Sequence, residues 1–184
     1  MILKKTILLL LLILLTLSAC QSPAEEEPAV LEGDPFAIYL IADEQVTGPG
    51  AMRSDIEILP LAEQPIITID DIVSYDWERH GMNLDDEAYF RLLSLFVGGV
   101  PSSGVPFVVT SYQQRVFVGA FWAPYSTLSF DGVVLMQPLD PAGQTLYFNL
   151  GYPREENFTG EDPRSDPRIL QALEEAGVIR EFGN

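Results

Sequence analysis

The middle of the chain, residues 88–130, contains no aspartate or glutamate, although the 184-residue sequence carries 27 acidic side chains. The same segment holds ten of the nineteen aromatic residues. Protein interiors exclude unpaired carboxylates and are rich in large apolar side chains. We therefore expect most of the hydrophobic core to come from this segment. The alternative is that part of it forms an uncharged recognition surface framed by negative charge.

This segment and its flank predict a β-hairpin and a helix. Residues 105–112 and 116–122 are β-branched or aromatic on both faces, which predicts a central hairpin covered on both sides. Residues 85–96 begin with three acids, which favour the positive end of a helix dipole, and continue with an apolar stripe at helical spacing. These patterns place strands and a helix in one sequence.

The rest of the chain alternates further short elements. A helix is predicted near the C-terminus. Asp166 can cap its start, Pro167 suits its first position, and Gly177 can end it. Together the patterns predict a single α+β domain, with a mostly antiparallel sheet of about five to six strands and two to three helices. The other predicted elements are strands at residues 36–42, 55–59, 133–139 and 146–150, a loop at 47–50, and a short helix or turn at 70–77.

The N-terminus has the pattern of an export signal. Lys4 and Lys5 precede an unbroken run of Ile and Leu at residues 7–15, and residues 17–20 read Leu-Ser-Ala-Cys. The apolar run suits a signal peptide, whereas a membrane-spanning helix needs about 20 apolar residues. The tetrapeptide resembles the lipobox of bacterial lipoproteins, which implies cleavage before Cys20 and acylation of that cysteine. A short uncleaved signal anchor is the alternative.

The resemblance implies a three-part organisation. Residues 1–19 are predicted to be the signal peptide, residues 20–35 a lipidated cysteine with an acidic tether rich in Pro, Ala and Glu, and residues 36–184 the globular domain. Two or more acyl chains hold a protein stably on a bilayer. We expect the domain on the extracytoplasmic face of the cell membrane or outer membrane.

Charge and cysteine content exclude several classes of function. Without the signal peptide, eight arginines and no lysine oppose the 27 acids, which gives a net charge of −19. Such a surface disfavours nucleic acid, and a lysine-free domain has no Schiff-base or phosphate-loop lysine. Cys20 is the only cysteine, so the predicted domain has no disulfide or thiolate nucleophile. No motif predicts a cofactor.

Three aromatic residues are candidate ligand- or partner-binding residues. Trp122 and Tyr125 follow a predicted core strand, where aromatic rings on a loop can stack on sugars or receive a peptide. Trp77 is a candidate on the same grounds. The alternative places Trp122 in the core and leaves only the Tyr125 hydroxyl in water.

Asp76, Glu78 and His80 are candidate metal ligands. They alternate along the sequence, so an extended segment would present all three on one face. The alternative is a solvent-facing strand edge. His80 is the only histidine, and the serines at 102 and 103 lack a nucleophile-elbow motif, so no catalytic residue is predicted.

Three functions fit these features. The first is a membrane-anchored lipoprotein with a non-catalytic domain that binds an envelope protein or a cell-wall component. The second is a small solute- or calcium-binding lipoprotein, and the third is a carboxylate-dependent cell-wall hydrolase.

Overall fold

The computed structural model describes residues 32–137 and 143–180. The described residues do not include Cys20, the predicted signal peptide at 1–19, most of the tether at 20–35 or the last two residues of the strand predicted at 133–139. No helix among the described residues has the length and apolar character needed to cross a membrane.

Three α-helices and ten β-strands form within the described residues. The helices are α1 (Gly48–Met52), α2 (Asp86–Leu95) and α3 (Pro167–Glu175). The strands are β1 (Ala37–Leu40), β2 (Ile67–Thr68), β3 (Ile72–Asp76), β4 (Gly81–Leu84), β5 (Val105–Ser111), β6 (Gln114–Trp122), β7 (Phe130–Met136), β8 (Thr145–Tyr147), β9 (Asn149–Tyr152) and β10 (Ile179–Arg180).

The strands form two sheets. The large sheet has six strands in the order β2-β1-β5-β6-β7-β9, and the small sheet has four in the order β10-β3-β4-β8. All neighbours pair antiparallel except β6 with β7 and β10 with β3. The α+β prediction is confirmed. The prediction of one sheet is incomplete, because a second sheet forms from short strands.

The core lies mainly on one face of the large sheet. Phe107, Phe121 and Val133 of that face join one buried cluster with Met82 of the small sheet and Leu92 of α2. The opposite face carries two smaller clusters, one beneath α1 and one around the β6 tryptophan. The predicted central hairpin, β5 with β6, is therefore covered on both sides.

Two helix predictions agree with the structure because local caps fix them. The side chain of Asp85 accepts a hydrogen bond from the Ala88 backbone N–H at 2.8 Å, and α2 begins at the next residue. Asp166 caps α3 in the same way, by accepting from the Arg168 N–H at 2.9 Å. Such caps satisfy backbone donors at the helix start and are visible in the sequence.

Several other predictions are wrong in their details. Residues 56–58 form a 3₁₀ turn rather than a strand, because the Asp55 carboxylate caps the Glu57 N–H at 3.0 Å. Residues 48–52 form a short helix capped by Thr47 rather than a loop. Residues 69–71 form a 3₁₀ turn, and the following residues become β3. The strand predicted at 146–150 divides at Phe148 into β8 and β9, which belong to different sheets.

Candidate functional site

An uncharged pocket lies at the C-terminal end of α2. Its volume is about 240 Å³. It is bounded by the end of α2, the loop that follows, the β6–β7 connection and the end of β7. No residue that lines it carries a charge. The lining residues are Leu93, Phe96, Val97, Gly99, Val100, Tyr125 and Gln137.

The helix end supplies one wall of the pocket. Leu93 lies in the last turn of α2, and Phe96 and Val97 follow directly after the last helical residue. The Phe96 ring packs 4.7 Å from the Phe121 ring, measured between centroids, so the core fixes this wall. Val97 is 85% exposed. Gly99 then ends the turn with a φ of +82°, a backbone conformation that favours glycine.

The opposite wall is Tyr125, on a short connection between two parallel strands. Only residues 123–129 join β6 to β7, although parallel neighbours usually need a dozen or more connecting residues. Hydrogen bonds hold this connection in place: the Tyr125 hydroxyl donates to the Val100 carbonyl at 2.8 Å, and the Ser126 hydroxyl donates to the Ser102 carbonyl at 2.6 Å. The Tyr125 side chain is therefore exposed, at 66%, yet held in a fixed position.

Gln137 adds a polar group to this apolar pocket. The residue is 4% exposed, and its backbone N–H donates to the Trp122 carbonyl at 2.8 Å. Its side-chain Nε2 is buried and has no hydrogen-bond partner among the described residues. An unsatisfied buried donor costs about 1–3 kcal/mol.

Trp122 lies in the core rather than on a loop surface. Its side chain is fully buried, and its ring stacks on Phe130 with centroids 4.7 Å apart and planes 22° from parallel. The backbone at Gly48 and Gly104 lies against the ring, and a Cβ at Gly104 would be 2.5 Å from the ring carbon Cε3. The alternative placement of Trp122 in the core is therefore confirmed.

Trp77 lies in the β3–β4 turn and does not line the pocket beside Tyr125. It is half-buried and packs against the main core. Its ring meets the His80 ring edge-on, with centroids 5.8 Å apart and planes at 66°. The three predicted aromatic residues thus do not form one surface. Of the three, Tyr125 alone contributes to a pocket at this end of the molecule.

Of the predicted metal ligands, Asp76 is the last residue of β3, and Glu78 and His80 lie in the turn that follows. Residues 77–80 form the turn between β3 and β4, so the alternating face that the prediction required is absent. Asp76 accepts from the Arg79 N–H at 3.0 Å, Glu78 is exposed, and His80 is buried. Among residues 32–137 and 143–180, no group of three or more His, Cys, Asp or Glu side chains is placed to hold a metal ion.

His80 instead belongs to a half-buried polar cluster. Its Nε2 lies 3.9 Å from an Asp162 oxygen, and its buried Nδ1 has no partner among the described residues. Arg164 binds both oxygens of Asp162, at 2.9 and 2.7 Å, and also donates to the Phe148 carbonyl at 2.7 Å. This guanidinium is enclosed by acceptors, which suits a structural role.

Burial sets the ionisation of this cluster. Burial lowers the pKa of the His80 imidazole below its ordinary value, and Arg164 lowers it further, while Asp162 and Asp76 act in the opposite direction. The hydrogen bond from Arg164 lowers the pKa of Asp162. His80 is therefore neutral at neutral pH, beside an ionised carboxylate.

Comparison with known proteins adds no relative. No family model, no curated protein and no solved structure matches the chain. The candidate site therefore rests on geometry alone. The sequence indicated Tyr125, but it gave no signal for Gln137, which closes the pocket from a distant strand.

Proposed function

We propose that the chain is a membrane-anchored extracytoplasmic lipoprotein with a non-catalytic binding domain that docks an envelope protein at the pocket between α2 and Tyr125. The N-terminal pattern at residues 17–20 supports the anchor. The observation that carries the docking role is the uncharged pocket itself, bounded by an exposed Val97 and a fixed Tyr125, in a domain whose 22 acids and eight arginines give a net charge of −14. Uncharged, aromatic-rimmed pockets accept apolar anchor residues of a partner.

The occupant follows from the pocket and its surroundings. The apolar walls accept an apolar side chain, which a partner protein supplies. The strong negative charge of the whole domain attracts a basic surface and accelerates its association. The partner is therefore a protein with an apolar anchor residue set in a basic surface.

The docking role is tested by placing a photo-crosslinking residue at position 97 in intact cells. Position 58 is the matched control, because Ile58 is also an exposed apolar residue, at 75%, and lies in the 3₁₀ turn beside β6. We expect one partner protein to crosslink from position 97 and not from position 58. Equal crosslinking from both positions would contradict the assignment of the pocket.

Affinity for that partner provides the quantitative test. Val97→Glu puts a charge at the pocket rim and is expected to weaken binding by about 2 kcal/mol, roughly thirtyfold. Ile58→Glu makes the same change elsewhere and should leave the dissociation constant unaltered. Calorimetric titration of both variants with the purified partner measures the difference. An unchanged constant for Val97→Glu would exclude the pocket as the docking site.

The anchor is tested separately at Cys20. We expect Cys20→Ser to abolish incorporation of labelled palmitate and to move the protein from the membrane fraction to the soluble fraction. Gln21→Ser is the control and should retain both properties. Membrane association of Cys20→Ser at the wild-type level would contradict lipidation as the anchor and leave the docking test unaffected.

A further inference from the structure

A second pocket lies where strands β6 and β7 of the large sheet separate. The pairing of these two strands runs from Gly119 and Val133 to Trp122 and Met136. Residues 117–118 and 131–132 precede the paired stretch, and all four line the pocket. Its volume is about 290 Å³. The pocket therefore opens between two strands of one sheet, at the point where their pairing begins.

The walls of this pocket are mainly apolar. Phe117 and Val133 are buried members of the main core cluster, and Phe158 packs against that cluster. The core therefore fixes the position of these walls, which accept a hydrocarbon chain in preference to a hydrated ion. The apolar lining residues are Met52, Phe117, Val118, Val133, Phe158 and Pro163.

Two carboxylates, those of Asp131 and Glu161, are the charged groups that line the pocket within the described part of the chain. Thr159 holds the first of them in place: its backbone N–H donates to one Asp131 oxygen and its hydroxyl to the other, both at 2.7 Å. A carboxylate oxygen accepts two hydrogen bonds, so each Asp131 oxygen can accept one more. Glu161 follows Thr159 by two residues, and the same segment therefore brings both acids to the pocket.

The two carboxylates and the apolar walls together select an organic cation. Calcium takes six to eight oxygen ligands, more than two carboxylates beside apolar walls supply. An alkylammonium ion combines a hydrocarbon chain with three N–H donors on one nitrogen, which suits two carboxylates. A guanidinium is bound best by two unoccupied oxygens of one carboxylate, and Thr159 already binds both oxygens of Asp131. The pocket therefore favours an ammonium over a guanidinium.

We propose that this pocket binds a primary ammonium group at the end of a hydrocarbon chain, carried by a lysine side chain or by a free alkyl diamine. The ammonium binds Asp131 and Glu161, and the chain lies against the apolar walls. This site is independent of the docking pocket beside Tyr125, because the two share no lining residue.

Calorimetric titration of the full chain in neutral detergent at pH 7 tests the chemistry of this site, with the heat of each probe into detergent alone subtracted. The probe is pentylamine, which is protonated at this pH. Its two counterparts are 1-pentanol, which lacks the charge, and methylamine, which lacks the chain. We expect pentylamine to bind at least tenfold more tightly than either. Equal binding of pentylamine and methylamine would show a general attraction of cations to an acidic domain, and that result or no heat from pentylamine would overturn the proposal.

Two further probes distinguish the sources of the ammonium group. Nα-acetyl-lysine amide represents a protein side chain, with Nα-acetyl-norleucine amide as its neutral counterpart. The free amine is 1,5-diaminopentane, with 1,5-pentanediol as its neutral counterpart. We expect one amine to bind at least tenfold more tightly than its counterpart, and that amine identifies the source. Equal binding within both pairs would contradict the assignment.

Variants locate the binding. Glu161→Gln removes one of the two carboxylates and should weaken pentylamine binding at least tenfold. Glu63→Gln makes the same change at an exposed glutamate that does not line the pocket, and should alter binding less than twofold. Equal effects of the two variants would show that the probe senses only the overall charge, and would overturn the assignment of the pocket.

Discussion

The large and small sheets are built from different kinds of strand and bury their surfaces differently. The three long strands of the large sheet, β5 to β7, have seven to nine residues, and both of their faces are covered. The strands of the small sheet have two to five residues. One of its faces joins the common core.

This difference makes the large sheet the larger contributor to stability. Burial of an aromatic or large aliphatic side chain stabilises a fold by about 1.5–3 kcal/mol, and the large sheet holds more such residues than the small sheet. The small sheet is stabilised through its inner face only. Its outer face carries polar side chains, among them Asp76, Asn83 and Thr145.

The largest expected effect is a loss of stability when one methyl group is added to a glycine of the large sheet. The same change in the small sheet is the comparison. Gly119→Ala in the large sheet would place a Cβ 2.4 Å from Phe107 Cζ and 2.9 Å from the Val133 carbonyl oxygen. Phe107 is fully buried and cannot move aside. We expect the free energy of unfolding to fall by about 3 kcal/mol, as measured by urea denaturation.

Gly81→Ala in the small sheet is the matched variant. Its new Cβ meets only the Tyr147 ring and the Thr145 methyl group, and the half-exposed ring can turn outward. We expect a loss below about 1 kcal/mol. Similar losses for Gly119→Ala and Gly81→Ala would contradict the contrast between a closed and an open sheet.

The second expected effect is a pH dependence of the free energy of unfolding, which arises at His80 beside the small sheet. Burial lowers the pKa of folded His80, so the unfolded chain, with an ordinary pKa of about 6.5, binds a proton first as the pH falls. The stability from neutral His80 is complete above pH 6.5 and is lost as the pH falls below that value. One proton limits the slope to about 1.4 kcal/mol per pH unit.

Urea denaturation between pH 7.5 and 5 measures this slope. His80→Gln should remove it. Asp162 and Asp166 do not contribute to this slope, because hydrogen bonds from their arginines lower the pKa of each carboxyl. Their contribution is lost only as the pH falls below about 3.9. If the slope between pH 7.5 and 5 persists in His80→Gln, a group other than His80 causes it.

The smallest expected effect concerns the turn of the central hairpin. Tyr112 and Gln113 connect β5 to β6 with positive φ values of 47° and 65°. Non-glycine residues are disfavoured in this conformation by about 1–2 kcal/mol. Gln113→Gly relieves this strain but adds freedom to the unfolded chain, so we expect a gain of about 0.5–1 kcal/mol.

Gln114→Gly is the control for the hairpin. It changes an exposed glutamine inside β6, where no positive φ requires glycine, and should lower stability by about 0.5–1 kcal/mol. Thermal unfolding of the two variants should therefore shift in opposite directions. A decrease for both would show that the turn is not strained.

Local patterns in the sequence determined a large part of this fold. The hairpin at 105–122 was predictable because both its strands are β-branched and aromatic, α2 because acids begin it and an apolar stripe follows, and α3 because Asp166 caps it. These signals act between near neighbours, so they do not depend on the rest of the fold. The prediction that most of the core comes from the acid-free segment is wrong: it supplies 13 of the 33 buried hydrophobic residues among those described, because β1, the small sheet, β7 and α3 also bury apolar faces.

The sites were decided by tertiary structure, with the exception of Tyr125. Trp122 followed a core strand and looked available for binding, but the backbone at Gly48 and Gly104 encloses it. The alternating residues 76, 78 and 80 suggested an extended face, yet the chain turns there to pair β3 with β4. Gln137 joins its pocket, and Thr145 joins Asn83, across long separations in sequence.

This difference between what the sequence specifies and what tertiary structure decides has a physical reason. Caps and side-chain periodicity act within a few residues, so the sequence by itself specifies most helices and the long strands of the large sheet. Short strands such as β8 and β10 lack enough residues to show a period, and they form only because existing edges and apolar faces receive them. Both pockets lie where separate segments meet, and only tertiary structure could place them there.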